Sequence, residues 1–384
     1  MGPLSGIKVV ELEAIGPGPF AGMLLADMGA DVILVDRPAP GDLGLKRERW
    51  NDVMMRGKRS VTLDLKSKGG SEAALELIAR ADALIEGFRP GVMERLGLGP
   101  DVALAKNPRL VYGRMTGWGQ DGPLAQRAGH DINYIALAGV LAAFGRHGQA
   151  PVPPLNLVGD FGGGGMLLGY GIACALVESG RSGKGQVVDA AMVEGASLLG
   201  VMFSGMLAAK RWTEERGANI LDTGAPWYDV YETKDGEYVS IGSIETKFYE
   251  ELLVRLGLAG EALPKQHDRN GWPVLRERFT NVFKAKTRAE WCAVFEGSDA
   301  CFAPVLSWSE APRHPHNRAR SAYVSVKRVE QAAPAPRFSR TAPEIRRGPP
   351  ERGEGGAQAL ADWGFAAEQV KRLTSLGLGL GEKK

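Results

Sequence analysis

Cysteine and histidine are scarce in this 384-residue chain, which has three of the first and five of the second. Cys174, Cys292 and Cys301 are odd in number and lack C-x-x-C spacing. That excludes a disulfide framework and a cysteine-based zinc site, and it points to a reducing compartment. An excess of either charge sign is also missing: 47 Lys and Arg against 45 Asp and Glu leave a net charge of +2. Without a basic field, and without Lys/Arg clusters alternating with aromatics, a nucleic-acid partner is not expected. The longest apolar run, residues 161–177, is glycine-rich and short for a membrane span. No basic and apolar leader precedes the strand pattern that begins at Ile7. Met1-Gly2 is followed by Gly6 where a myristoylation signal has Ser or Thr, and Glu382-Lys383-Lys384 is no peroxisomal address. The expectation is a cytoplasmic protein with no membrane association.

The chain is long enough for two domains. Its first third alternates strand patterns (7–13, 31–36, 83–88, 109–116) with helix patterns (19–28, 71–81, 92–96). This predicts a doubly wound, Rossmann-like α/β domain over residues 1–200. A helical block follows, at 130–144 and 162–178, then a strand at 186–190 and a helix ending near 210. Residues 228–233 and 238–242 flank Lys234-Asp235-Gly236 as a β-hairpin, followed by helices at 246–256, 274–285 and 288–296. That makes residues 215–310 a smaller α+β domain. A Pro- and Arg-rich connection leads to a C-terminal segment, 320–384, with a strand-like stretch at 322–326 and a helix near 357–373, returning to the large domain.

Gly16-Pro17-Gly18-Pro19-Phe20-Ala21 fits the G-x-G-x-x-G/A dinucleotide fingerprint, with Asp36 twenty residues after Gly16. A nicotinamide site is one reading. Against it, Pro17 and Pro19 remove N–H donors that a pyrophosphate needs, and Arg37 follows Asp36 directly. The glycines alone make a tight turn in many proteins. Between these lies a nucleotide-like ligand whose phosphates meet arginines. Arg56, Lys58 and Arg59 form a basic cluster, and Glu86-Gly87-Phe88-Arg89-Pro90 puts an arginine at a strand end.

Three acid–base candidates stand out. His130, in Gly129-His130-Asp131, opens a helix; a lone histidine is more often structural, yet its ordinary pKa suits proton transfer near neutrality. Asp160 precedes Gly162-Gly163-Gly164-Gly165. Four glycines opening a helix cost entropy. They serve either close packing against another helix or the approach of a substrate to N–H donors that stabilise an oxyanion. Glu245 ends a strand and reads as an acid at the start of the next helix. His314 and His316 straddle Pro315 with no third ligand nearby, so no metal site is expected.

Together these stretches resemble the family III coenzyme A transferase (CaiB/BaiF) superfamily, in particular its α-methylacyl-CoA racemase branch. The resemblance runs along nearly the whole chain. It covers Val9-Val10-Glu11-Leu12, Arg56-Gly57-Lys58-Arg59-Ser60, Arg89-Pro90-Gly91-Val92, Thr116-Gly117-Trp118-Gly119-Gln120 and Gly183-Lys184-Gly185-Gln186-Val187-Val188-Asp189-Ala190. His130 selects the branch, because the transferases carry a non-basic residue there. The resemblance implies His130 as one proton-transfer base with Glu245 as its acidic partner, and Asp160 as the base on the opposite face. Asn156 and Asp131 follow as supporting residues, and Arg37, Arg56, Arg59 and Arg89 as coenzyme A contacts. It further implies an interlocked homodimer and epimerisation of 2-methylacyl-CoA thioesters through an enolate. Coenzyme A is then part of the substrate, and no other cofactor is needed. Three alternatives remain open: a coenzyme A transferase in which Asp160 forms an anhydride, a nicotinamide oxidoreductase, and a non-catalytic acyl-CoA-binding protein.

Overall fold

The computed structural model describes residues 2–41 and 48–381, so the terminal tripeptide 382–384 lies outside the described residues. Six strands form one parallel sheet: β1 (Lys8–Leu12), β2 (Asp31–Asp36), β3 (Arg59–Thr62), β4 (Ala83–Glu86), β5 (Val111–Thr116) and β6 (Gln186–Ala191). Their order across the sheet is β3-β2-β1-β4-β5-β6. The chain runs outward from β1 and then returns past it to β4, so adjacent loops part between these two strands. That is where doubly wound sheets bind ligands.

Neighbouring strand residues point to opposite faces, and both faces are covered. Val10, Ile33, Leu84 and Tyr112 pack with Leu77 and Ile78 of α2 (Lys68–Ile78). Short α3 (Val92–Arg95) and α4 (Pro100–Lys106) lie in the chain before β5, and Met93 and Ala103 join the same core. Val9, Val32, Ala83 and Val111 pack on the other face, with Leu25 of α1 (Pro17–Asp27) and Tyr134 of α5 (Asp131–Leu137). A π-helix, Leu157–Met166, runs directly into α6 (Leu167–Ser182), which buries Leu168 and Ile172 on that face. Among the described residues, Leu157–Ser182 is the one helix long and apolar enough by length and composition to cross a membrane. After β6, α7 is Met192–Leu199.

The chain divides into two units, the large one made of three segments: up to Ala138, Leu155–Leu199, and from Pro315 onward. The second unit is Gly139–Pro154 with Gly200–His314. It contains α8 (Val201–Ala208) and a three-stranded antiparallel sheet of β7 (Tyr228–Glu232), β8 (Tyr238–Gly242) and β9 (Phe302–Pro304). Helices α9 (Thr246–Arg255), α10 (Trp272–Phe283) and α11 (Arg288–Phe295) complete it. Its core is aromatic, with Trp227, Tyr231, Phe279, Phe283 and Trp291 buried together. Asp229 anchors the 139–154 segment by pairing with Arg146 at 2.9 Å. The last part of the large unit holds α12 (Pro315–Ala319), hairpin β10 (Tyr323–Val326) and β11 (Val329–Ala332), α13 (Gly356–Asp362) and α14 (Ala367–Ser375).

Three expected helices are broken. The one expected over 130–144 stops at Leu137 and is followed by Gly139 at φ 79°. The one ending near 210 splits at Gly200 into α7 and α8. The C-terminal one splits into α13 and α14, with Gly364 at φ 80° between them. β3 and α4 are additions to the pattern read from the sequence, and the basic run around β3 hid its strand character.

That run is buried. Lys58 is fully buried against Glu11, Nζ to Oε1 at 2.7 Å, with Pro19 O also accepting at 3.0 Å. Burial pushes the Glu11 carboxyl up to about 7, against the pull of Lys58, and burial lowers the Lys58 pKa. Removing one member of a buried pair strands the other charge. Lys58→Met is therefore expected to destabilise the protein by about 3–5 kcal/mol in urea unfolding, and Glu11→Leu added to it to recover most of that loss.

Candidate functional site

A cavity of about 310 Å³ opens at the carboxyl ends of β1, β4 and β5. Its walls come from the loop after β1 (Ala14–Gly18), the loop after β4 (Gly87–Pro90), Met115–Trp118, the approach to α5 and the π-helix. Such a volume encloses one end of a long ligand rather than the whole of it. His130 and Asp160 both line it.

His130 is the N-cap of α5, in extended conformation at φ −131°. Its N–H donates to Asn133 Oδ1 at 3.0 Å, and its carbonyl accepts from the Asn133 N–H at 2.8 Å. These two bonds fix the backbone while the imidazole stays exposed. Below it, the Tyr134 hydroxyl donates to the Gly129 carbonyl, and the Tyr134 ring meets Trp118 edge-on at 4.7 Å. Asn133 and Tyr134 carry no expectation from the sequence, and Trp118 enters there only as part of a matching stretch. The His-x-x-Asn spacing at a helix start is the signal that identifies the first of them.

Asp160 lies within the first turn of the π-helix. Its N–H donates to Asp131 Oδ2 at 2.7 Å, and its Oδ2 accepts from Asn156 Nδ2 at 2.9 Å. Asp131 itself is buried, and its Oδ1 has no hydrogen-bond partner among the described residues. Burial pushes the Asp160 carboxyl above its ordinary pKa, and the Asp131 charge adds to this. The Asn156 hydrogen bond and nearby His130 pull the other way.

Gly16 explains the fingerprint. It caps α1 at φ 66°, and a Cβ there would sit 3.0 Å from Asp160 Oδ2. The bare turn faces a carboxylate, which repels a pyrophosphate. Asp36, the acid expected to meet a ribose, is buried and held by Ser60 Oγ at 2.5 Å, and it pairs with Arg49. The nicotinamide reading loses both its parts.

The glycine quartet settles on the packing reading. Gly162–Gly165 lie inside the π-helix, whose own ladder takes up their N–H groups, so the expected oxyanion donors are not free there. A Cβ on Gly163 would lie 2.5 Å from Ala196 N in α7, and one on Gly165 would lie 2.7 Å from Pro17 O in α1.

The four arginines separate. Arg89 lines the cavity and is exposed. Arg37 is exposed at the end of β2, outside the cavity lining; its backbone N–H donates to Glu13 Oε2 at 2.8 Å. Arg56 and Arg59 correct the expectation of ligand contacts. Every nitrogen of the Arg56 guanidinium bonds Asp27, Gln331 or the Ala332 carbonyl, and the buried Arg59 pairs with Asp31 and Asp362. Glu245 belongs to the second unit, as the exposed N-cap of α9 with no side-chain capping bond.

The profile of CoA-transferase family III matches residues 4–355. A mouse protein named alpha-methylacyl-CoA racemase is 47% identical over 375 residues, covering 97% of this chain and 96% of that protein. The human protein of the same name is 44% identical over 376 residues, with 97% and 96% covered. Among solved structures, a CAIB/BAIF family protein from Brucella suis superposes with a TM-score of 0.78 at 27% identity, covering 94% of this chain and 99% of that one. With its parallel sheet, its cavity beside β1 and this match over nearly its whole length, the chain belongs to CoA-transferase family III.

Proposed function

We propose that this chain interconverts the (2R)- and (2S)-epimers of 2-methylacyl-CoA thioesters by proton transfer through an enolate. The observation that carries this is the presence of two different proton-transfer groups, His130 and Asp160, on one cavity at the sheet's topological switch point. Its support from relatives is the racemase name of the mouse and human proteins.

The α-proton of a thioester is weakly acidic, so it leaves only to a positioned base. Inversion needs one group ionised to accept and another protonated to donate on the opposite face. Asp160 accepts on one face, with Asn156 holding its Oδ2 and Asp131 holding its backbone. His130 serves the other face, and Glu245 as its acidic partner is part of the same proposal. The scheme requires neither a metal nor a redox cofactor. A homodimer also belongs to this reading, supported by the exposed apolar side chains Leu137, Leu157, Met166, Tyr170, Val177 and Leu198 on the large unit. Sedimentation at micromolar concentration is expected to give twice the 41.1 kDa chain mass; a monomer there removes the dimer from the scheme.

With a 2-methylacyl-CoA of single configuration in deuterated water, the protein is expected to introduce deuterium at the α-carbon and lose configuration. His130→Ala is expected to slow epimerisation by about 100-fold or more while keeping α-exchange from the epimer that Asp160 serves. Unimpaired epimerisation by this variant rejects the two-base scheme. Acyl transfer to an added carboxylate without α-exchange makes Asp160 a nucleophile instead.

The pH profile gives a further check. Asp160 accepts a proton only when ionised, so kcat/KM for the epimer it deprotonates falls as the pH drops through its raised pKa. The Asn156 hydrogen bond favours the ionised form. Asn156→Leu is thus expected to move the acid limb to higher pH, and a limb that stays or moves down contradicts Asp160 as the group observed.

A further inference from the structure

Arginine is held by carboxylates through much of the large unit. Arg114 bonds Glu86 and Glu94, Arg352 bonds Glu13, Arg56 bonds Asp27 and Arg59 bonds Asp31. Among the arginines without a carboxylate partner, two line the cavity: Arg89 and Arg127. Both are exposed, and neither has an ion-pair partner among the described residues. The cavity lining includes a single acid, Asp160, which Asn156 already engages. Positive charge is therefore left uncompensated on these walls.

The two arginines sit on loops that are tied together. Gln126 Nε2 donates to the Pro90 carbonyl at 3.1 Å, which ties the loop before α5 to the loop after β4. Arg127 follows Gln126 and Arg89 precedes Pro90, so this bond joins the two segments that bring both arginines to the cavity lining. The β4 loop is fixed in turn: the Phe88 N–H donates to Glu86 Oε2 at 2.8 Å, and Arg114 Nε donates to Glu86 Oε1 at 2.9 Å. On the other side, the Arg127 N–H donates to the Leu124 carbonyl at 2.8 Å and closes a turn. Holding two like charges on rigid, adjoining loops without a counter-ion costs stability, and a bound anion removes that cost.

We propose that Arg127, together with Arg89, forms a two-arginine clamp for an oxyanion of the thioester ligand. This rests on the acyl-CoA reading above. The oxyanion has two sources: the phosphate groups of the nucleotide half, or a carboxylate at the far end of the acyl chain. In either case Arg127 determines which thioesters bind well, and it takes no part in proton transfer.

The test uses the full chain and four thioesters: neutral-acyl and ω-carboxyacyl, each on CoA and on pantetheine, which lacks the phosphates. Arg127→Gln is expected to raise KM about tenfold for the thioesters that carry the recognised anion, with kcat unchanged. A penalty on both CoA thioesters that vanishes on pantetheine assigns the clamp to phosphate. A penalty that follows the ω-carboxylate on either carrier assigns it to the acyl end. Arg127→Lys is expected to recover part of the affinity as a point charge. Equal KM values for all four substrates, a uniform penalty on all four, or a fall in kcat with KM intact each overturn the clamp. The same four compounds titrated calorimetrically without turnover separate the two ideas. If the unsubstituted protein binds them but exchanges no α-proton, the racemase reading fails and the clamp is still judged by the Arg127→Gln affinities.

Discussion

Backbone meets backbone without intervening side chains where the π-helix crosses α1 and α7, and the placement of Asp160 depends on that contact. A Cβ at Gly163 or Gly165 would collide with main-chain atoms of a neighbouring helix. Only a glycine run lets the π-helix settle this deeply, and the depth brings Asp160 up to Gly16 at the start of α1. Asp131 then bonds the Asp160 N–H, coupling the start of α5 to the π-helix. His130, one residue before Asp131, is thereby held in register with Asp160. Stretches of π-helix are rare and often occur where a protein does its work. Here it sets a carboxylate against a turn that has no side chain of its own.

Two sets of cations in the large unit stand in contrast. Lys58, Arg56, Arg59 and Arg114 are buried on or near the sheet and meet carboxylates of α1 or of the strands. Desolvation raises Glu11 and Glu86 to about 7 in spite of these partners, so the pairs specify a geometry more than they add stability. Arg89 and Arg127 remain at the cavity rim. Their positive charge faces the cavity without a carboxylate partner among the described residues.

The sheet was readable because its strands are nearly continuous apolar runs between helical patterns; β2 matches its expected bounds at both ends. β3 was not, since Arg59 and Ser60 mask a four-residue strand whose burial is supplied by distant partners. His130 and Asp160 were visible as residue types beside special turns, and the family resemblance supplied their pairing. The misreading of Arg56 and Arg59 has a definite cause: a basic cluster looks alike in sequence whether its counter-ions are phosphates or the chain's own aspartates 28 to 303 positions away. Arg127 gave no local signal, because only the folded loops bring it to the cavity wall. Gly162–Gly165 announced that something approaches closely but not what, and the neighbour turned out to be the protein's own backbone.

The Arg56 network has a consequence for how the molecule comes into being. Asp27 and Arg56 emerge early from the ribosome, yet Gln331 and the Ala332 carbonyl, which complete their bonding, come only after the whole second unit. Arg59 likewise waits for Asp362. The second unit, built from 139–154 and 200–314, has all its residues once His314 is made. Vectorial synthesis therefore inverts the order of the sequence: the unit encoded in the middle can be finished first, while the nascent N-terminal sheet stays electrostatically incomplete until the chain is nearly whole.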